Sequence, residues 1–379
     1  MSDSSEPLYF DHNATTPLLP EVVDAMLPYL TTHFGNPSSA HLYGRRAKQA
    51  VEAARAQVAS LVGAHAHDVV FTSGGTEATA LALKGTLRPG TRERLVTTTV
   101  EHPATARIVD ALSQSHEVVR LGVDANGLLR VGELDDALER ARWLSVIHAH
   151  NETGVLQPLP VLAQKTHAHG ALLHADASQS AGKVELSLER DGVDLLTLAA
   201  HKLYGPKGVG ALVRRAGVEL HAQQLGAGHE RGLRAGTENV ASIVGFGAAC
   251  VAAKRDLTEL SARLLVLRER LEAGLRAQIP GLVIAGERAP RLPNTTYAVF
   301  PKVTGNALLA RTTLLAASTG SACHDGHDEA PQVLREMGFA AEVAVGAVRL
   351  TLGRHTTAGQ IDEAIAALKA AWGSLRRAD

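Results

Sequence analysis

Seven short runs of apolar and β-branched residues, separated by longer stretches of helical periodicity, set the strongest limit on how this chain can fold. They are "DVVFTS" (68–73), "RLVTTTV" (94–100), "HEVVRLGV" (116–123), "RWLSVIHAHN" (142–151), "GALLHADAS" (170–178), "VDLLTLAAH" (193–201) and "GVGALVRR" (208–215). Strands alternating with helices predict a largely parallel α/β sheet covered on both faces, with ligands bound where strand ends open into loops. Residues 240–278 read as one long helix. Its polarity changes near Lys254 from apolar all round to amphipathic and charged, as expected where a helix leaves one core for another. Strands near "NTTYAVF" (294–300) and "VAVGAVRLTLGR" (343–354) then predict a smaller α+β domain. The expected division is an N-terminal segment, 1–16, packing with the small domain; a large domain over 17–254; and a small domain over 255–379.

Charge and composition narrow the function classes. Formal net charge is −1 with both signs mixed along the chain, so no electrostatic footprint for nucleic acid or an anionic membrane is expected. No apolar run reaches the roughly 18 residues of a membrane span. The start "MSDSSEPLYF" is polar and acidic, unlike a signal peptide, which leads to the expectation of a cytoplasmic protein. Cys250 and Cys323 are the only cysteines, too few for a disulfide framework. The segment "CHDGHDE" matches no standard ligand spacing, and no metal is expected.

Three local patterns carry chemistry. In "FTSGGTEATALALKG" (71–85) a Gly-Gly turn with Gly75 and Thr76 joins a strand to a helix, which suits a phosphate, although such turns also occur simply as tight turns. In "TLAAHKLYGPKG" (197–208) Lys202 comes at the end of a buried strand, where desolvation disfavours its charge. Asp176, in "HADASQS", stands 26 residues earlier at the end of another strand. Taken singly, Asp176 reads as a cap or ion pair and Lys202 as a snorkelling side chain. Together with the phosphate turn, they form the parts of a pyridoxal phosphate pocket: phosphate at Thr76, ring nitrogen at Asp176, aldehyde carbon at Lys202.

The motifs "DHNATTPLLPEV", "FGNPSS", "FTSGGTEA", "EHPA", "NETGV", "HADASQSAGK", "HKLYGPKGVGAL", "RAGTEN", "RLPNT", "GSAC" and "RLTLGRHTT" occur in the order found in cysteine desulfurases. Across essentially its whole length the chain resembles these members of the class V aminotransferase family, in the branch that also includes selenocysteine lyases. The resemblance implies a fold type I pyridoxal phosphate transferase with a mostly parallel seven-stranded sheet, forming a homodimer with shared active sites.

By that resemblance Lys202 is the Schiff-base lysine, Asp176 pairs with the ring nitrogen and Gln179 with the ring hydroxyl oxygen. His102 stacks on the ring and moves protons; Thr76 and His201 hold the phosphate, with Thr237 reaching the phosphate of the neighbouring subunit. Arg349 holds the substrate carboxylate, assisted by Asn151 and Asn13. Cys323, in a run of small and polar residues, takes sulfur from L-cysteine as a persulfide for an acceptor protein, and alanine leaves. Two positions depart from the family pattern: Ala199 replaces a common serine three residues before the lysine, and "ATA" (78–80) replaces usual asparagines. An altered cofactor affinity is the expected consequence.

Overall fold

The computed structural model describes residues 6–320 and 329–376. The chain opens with β1 (Leu8–Tyr9), α1 (Pro20–Thr31), α2 (Leu42–Leu61), β2 (Val69–Thr72) and α3 (Gly75–Gly85). Next come β3 (Arg94–Thr98), α4 (Pro103–Leu112), β4 (Glu117–Leu121), α5 (Leu134–Leu138), β5 (Ala141–Ile147), α6 (Leu159–Ala168), β6 (Leu172–Asp176), β7 (Leu195–Ala199) and β8 (Gly210–Arg214). The long α7 (Val240–Gln278) leads to β9 (Val283–Ile284), β10 (Thr295–Val299), α8 (Gly305–Arg311) and β11 (Leu315–Ala316). The chain continues through α9 (Gln332–Glu336), α10 (Ala341–Ala344), β12 (Ala347–Thr351) and α11 (Ala358–Leu375).

Each of the seven apolar runs forms a strand, and all seven join one sheet in the order β2-β8-β7-β6-β5-β3-β4. From β7 to β4 every pairing is parallel; only β8 runs against its neighbours β7 and β2. The central strands β5, β6 and β7 are buried almost throughout, as a sheet covered on both faces requires. Gly210 opens β8 because only a glycine fits there: a Cβ would lie 2.6 Å from the Leu198 carbonyl oxygen and 2.7 Å from the Gly74 backbone. Each strand ends before its run does, β5 earliest, at Ile147 in a run that reaches 151. After Ile147, Asp176 and Ala199 the chain turns out of the sheet, and these turns form the site.

A second sheet, β12-β10-β9, is antiparallel. The expected run 343–354 is split, because Ala341–Ala344 forms a short helix and the strand begins at Ala347. β1 pairs in parallel with β11, and Asp11 bridges to Thr351, so the N-terminal segment lies against this second layer. α7 serves both cores. Ile243, Phe246, Ala249 and Cys250 pack in the core under the large sheet, whereas Leu264, Leu267, Leu271 and Leu275 pack with Phe10, Val348 and Leu368 in the other. Among the described residues no helix is long and apolar enough to cross a membrane.

Candidate active site

A cavity of about 360 Å³ opens beyond the carboxyl ends of β5, β6 and β7, a size within the roughly 300–1,000 Å³ of small-molecule sites. Ile147, Asp176 and Ala199, the last residues of those strands, form its floor, and Gly75 and Thr76 of α3 form one wall. His102 and Asn151 follow β3 and β5, Gln179 follows β6, and His201 and Lys202 follow β7. Asn13 and Arg349 close the remaining side. The structure thus brings Asn13, Gly75, Thr76, His102, Asn151, Asp176, Gln179, His201, Lys202 and Arg349 into one cavity. Thr237 lies apart, exposed in the loop before α7. Cys323 lies outside the described residues.

Lys202 ends a single 3₁₀ turn, Ala200–Lys202, that follows β7 directly. Its Nζ donates to the carbonyls of Asn13 at 2.7 Å and Ala14 at 2.9 Å. Burial, reinforced by Arg349, pushes the amine down to about 8, against the opposing pull of Asp176 and Asp11. Asp176 is buried, with Oδ1 accepting from the Ser178 N–H at 2.9 Å. Gln179 Nε2 donates to the same Asn13 carbonyl at 2.8 Å. His102 caps α4, its Nδ1 accepting from Ala104 N at 3.1 Å, which leaves Nε2 as the nitrogen that can exchange a proton. Withdrawal from water holds the His102 ring below its usual value. His201 Nδ1 meets the Thr15 hydroxyl at 3.1 Å, and burial lowers this ring to about 4, so it is neutral at pH 7.

Arg349 is 5% exposed. Its Nη2 pairs with Asp11 Oδ1 at 2.7 Å, Nη1 donates to the Asn151 carbonyl at 3.2 Å, and Nε is buried without a partner among the described residues. A buried guanidinium with a spare donor is suited to a carboxylate ligand. Asn13 is the hub of this wall. Its Nδ2 donates to the Asn151 carbonyl at 3.2 Å and Thr295 Oγ1 at 2.9 Å, while Oδ1 accepts from Lys183 at 3.1 Å and Asn294 at 3.2 Å.

Four groups here were not singled out by sequence. Asp11 sits within the quoted "DHNATT", but its pairing with Arg349 spans 338 positions. Lys183, in "QSAGK", donates to Gln179 Oε1 at 2.9 Å and so fixes that amide with its nitrogen away from the lysine; burial pushes the Lys183 amine well below its usual range. Glu101 accepts from the Thr98 hydroxyl at 2.7 Å and Ile147 N at 2.9 Å, and burial pushes its carboxyl up to about 8. Glu152 is likewise raised by burial, and its side chain borders Gly320. By contrast, the 78–80 departure does not touch the cavity: Ala78 packs in the core, and Thr79 meets the Thr197 hydroxyl at 3.2 Å.

The loop that carries Thr237 is held firmly. Glu230 and Arg231 both adopt left-handed backbone angles, and Glu230 is buried against Arg55 at 2.6 and 2.7 Å and the Phe71 N–H at 2.8 Å. Further along, Arg234 donates to Glu77 Oε1 at 2.8 Å, tying the loop to the first turn of α3. Cys250 stands in contrast to any reactive thiol. It is fully buried in α7, where burial pushes its thiol up and keeps it protonated.

The chain matches the aminotransferase class-V family over residues 8–364. It is 45% identical to the cysteine desulfurase IscS of Anaeromyxobacter sp. (strain Fw109-5), covering 95% of this chain and 91% of that one. It is 40% identical to a cysteine desulfurase of Trichormus azollae, covering 94% and 91%. Among solved structures, a NifS-like protein superposes with a TM-score of 0.90 at 32% identity, covering 97% of this chain and 100% of that one.

Proposed function

The chain belongs to the class V aminotransferase family as one of its cysteine desulfurases, and from that premise we propose how its own residues divide the work. The cavity suits pyridoxal phosphate: a helix start for the phosphate, a buried carboxylate for the ring nitrogen, an amide for the ring oxygen and an amine of lowered basicity converge on it. When bound, the cofactor supplies an electron sink that stabilises negative charge at the substrate Cα.

Thr76 and His201 hold the phosphate, Asp176 the ring nitrogen and Gln179 the ring hydroxyl oxygen. Arg349 grips the carboxylate of L-cysteine with Asn151 beside it, and Asn13 fixes that wall. Lys202 Nζ takes the α-proton; an amine near 8 keeps a useful unprotonated fraction at neutral pH. His102, whose Nδ1 is taken by Ala104 N, would relay protons through Nε2 within the cavity. Cys323 Sγ, as thiolate, attacks the substrate sulfur. The S–S bond forms as the Cβ–S bond breaks, and the electron pair of the broken bond stays with Cβ. Protonation of Cβ, together with return of a proton to Cα by Lys202, completes alanine. Cys323 is left as a persulfide for an acceptor protein.

The same reading makes the active form a homodimer in which Thr237 reaches the neighbour's phosphate, and places the enzyme in the cytoplasm. It also divides the chain into 17–254 and 255–379, with 1–16 joining the latter. The observation that carries the proposal is Lys202, with its lowered amine, facing Asp176 and Arg349 across one cavity. Mass spectrometry after cysteine treatment tests it. The extra sulfur is expected on Cys323 in the wild type and absent in Lys202→Ala, which also loses the visible band of the bound cofactor and at least about 10³-fold of turnover. Cys323→Ser should bind cofactor and cysteine yet release no alanine, whereas Cys250→Ser should still accumulate persulfide. Sulfur found on Cys250 would overturn the assignment.

A further inference from the structure

Position 199, where a hydroxyl is common in this family, carries a methyl group that lines the cavity beside α3. A Cβ placed on Gly75 would stand 3.5 Å from Ala199 Cβ, 3.6 Å from Thr197 Cγ2 and 3.1 Å from Ser178 Oγ. Three side chains therefore border the same point at the first turn of that helix. Thr197 cannot serve there, because its hydroxyl is already shared with Thr79 at 3.2 Å and His174 at 3.0 Å. Ser178 is different. It is half-buried, and its hydroxyl has no hydrogen-bond partner among the described residues. Its backbone N–H is held by Asp176 Oδ1 at 2.9 Å, which fixes the turn without using the side chain. Ser178, Gly75, Thr76, Ala199 and His201 all line the same cavity.

We propose that Ser178 is a ligand of the cofactor phosphate and supplies the hydroxyl that Ala199 does not. The inference rests on the reading that the phosphate lies at the start of α3. An anion at a helix start takes hydroxyl donors readily, and a hydrogen bond to a charged acceptor is roughly twice as strong as a neutral one. The step from Asp176 to Ser178 thus provides both the acceptor for the ring nitrogen and a donor for the phosphate.

Equilibrium titration of the cofactor-free protein with pyridoxal phosphate, and in parallel with pyridoxal, tests this without any turnover. Ser178→Ala should weaken pyridoxal phosphate binding about tenfold or more and leave pyridoxal binding unchanged. Ala199→Ser in the Ser178→Ala background should recover most of the loss. Melting of cofactor-free Ser178→Ala should match the wild type, since the hydroxyl has no partner to lose among the described residues. Thr76→Ala separates the two levels of the argument. If Thr76→Ala weakens phosphate-dependent binding and Ser178→Ala does not, the Ser178 inference alone is overturned. If neither variant weakens it, the phosphate lies elsewhere and both fall.

Discussion

Lys202 and Gln179 donate to one and the same acceptor, the backbone carbonyl of Asn13, at 2.7 and 2.8 Å. Two residues delivered by different strands of the large sheet therefore take their positions from a segment at the other end of the fold's sequence order. The N-terminal segment is a wall of the site, held by β1 on one side and by Thr351 on the other, where Asn13 N donates at 3.1 Å.

Asn13→Ala keeps that carbonyl but removes four side-chain hydrogen bonds, leaving Lys183, Asn294 and Thr295 with buried groups to satisfy. The expected cost is about 3 kcal/mol of stability, measured by denaturant unfolding of the cofactor-free protein. Cofactor uptake should persist in the fraction that is folded, because Lys202 and Gln179 still find their acceptor.

The Lys202 amine should react with an amine-selective reagent in the cofactor-free protein with a midpoint near its value of about 8. Arg349 lowers that value, so Arg349→Gln should move the midpoint to higher pH. Asp176 raises it, so Asp176→Asn should move it to lower pH. Shifts in the opposite sense, read by peptide mass mapping of Lys202 across pH, would mean that other groups set the amine.

Mixing Lys202→Ala with Thr237→Ala tests the shared site. In a mixed dimer one site has both defects and the other has neither, so random exchange should restore activity towards about one quarter of the wild-type level. Activity no greater than the sum of the separate variants would place Thr237 outside the partner's site.

Much of this was legible because strand ends carry local signals. The runs before Asp176, Lys202 and Thr76 mark strands by their β-branched and apolar residues, and each functional side chain follows within a few positions, where the sheet itself brings them together. Asp11, Lys183 and Glu101 were not legible for the complementary reason. Their partners are Arg349, Asn13 and Ile147, and those pairings depend on how layers dock or, for Glu101, on which strands become neighbours, with no trace in local periodicity. Ser178 was hidden differently: Ala199 drew notice as a missing hydroxyl, while the hydroxyl beside it belongs to another strand.

The helix α7 spans 39 residues, about 58 Å of continuous rod, with its two halves buried in different cores. Restarting a helix in its middle carries the penalty of a fresh nucleus, so melting one core leaves half of α7 without packing yet still tethered to its ordered remainder. Partial unfolding is thereby disfavoured on either side. The two cores are expected to lose structure in a single cooperative transition, making α7 a thermodynamic link through which a destabilising change near Trp372 also weakens the sheet that holds Lys202.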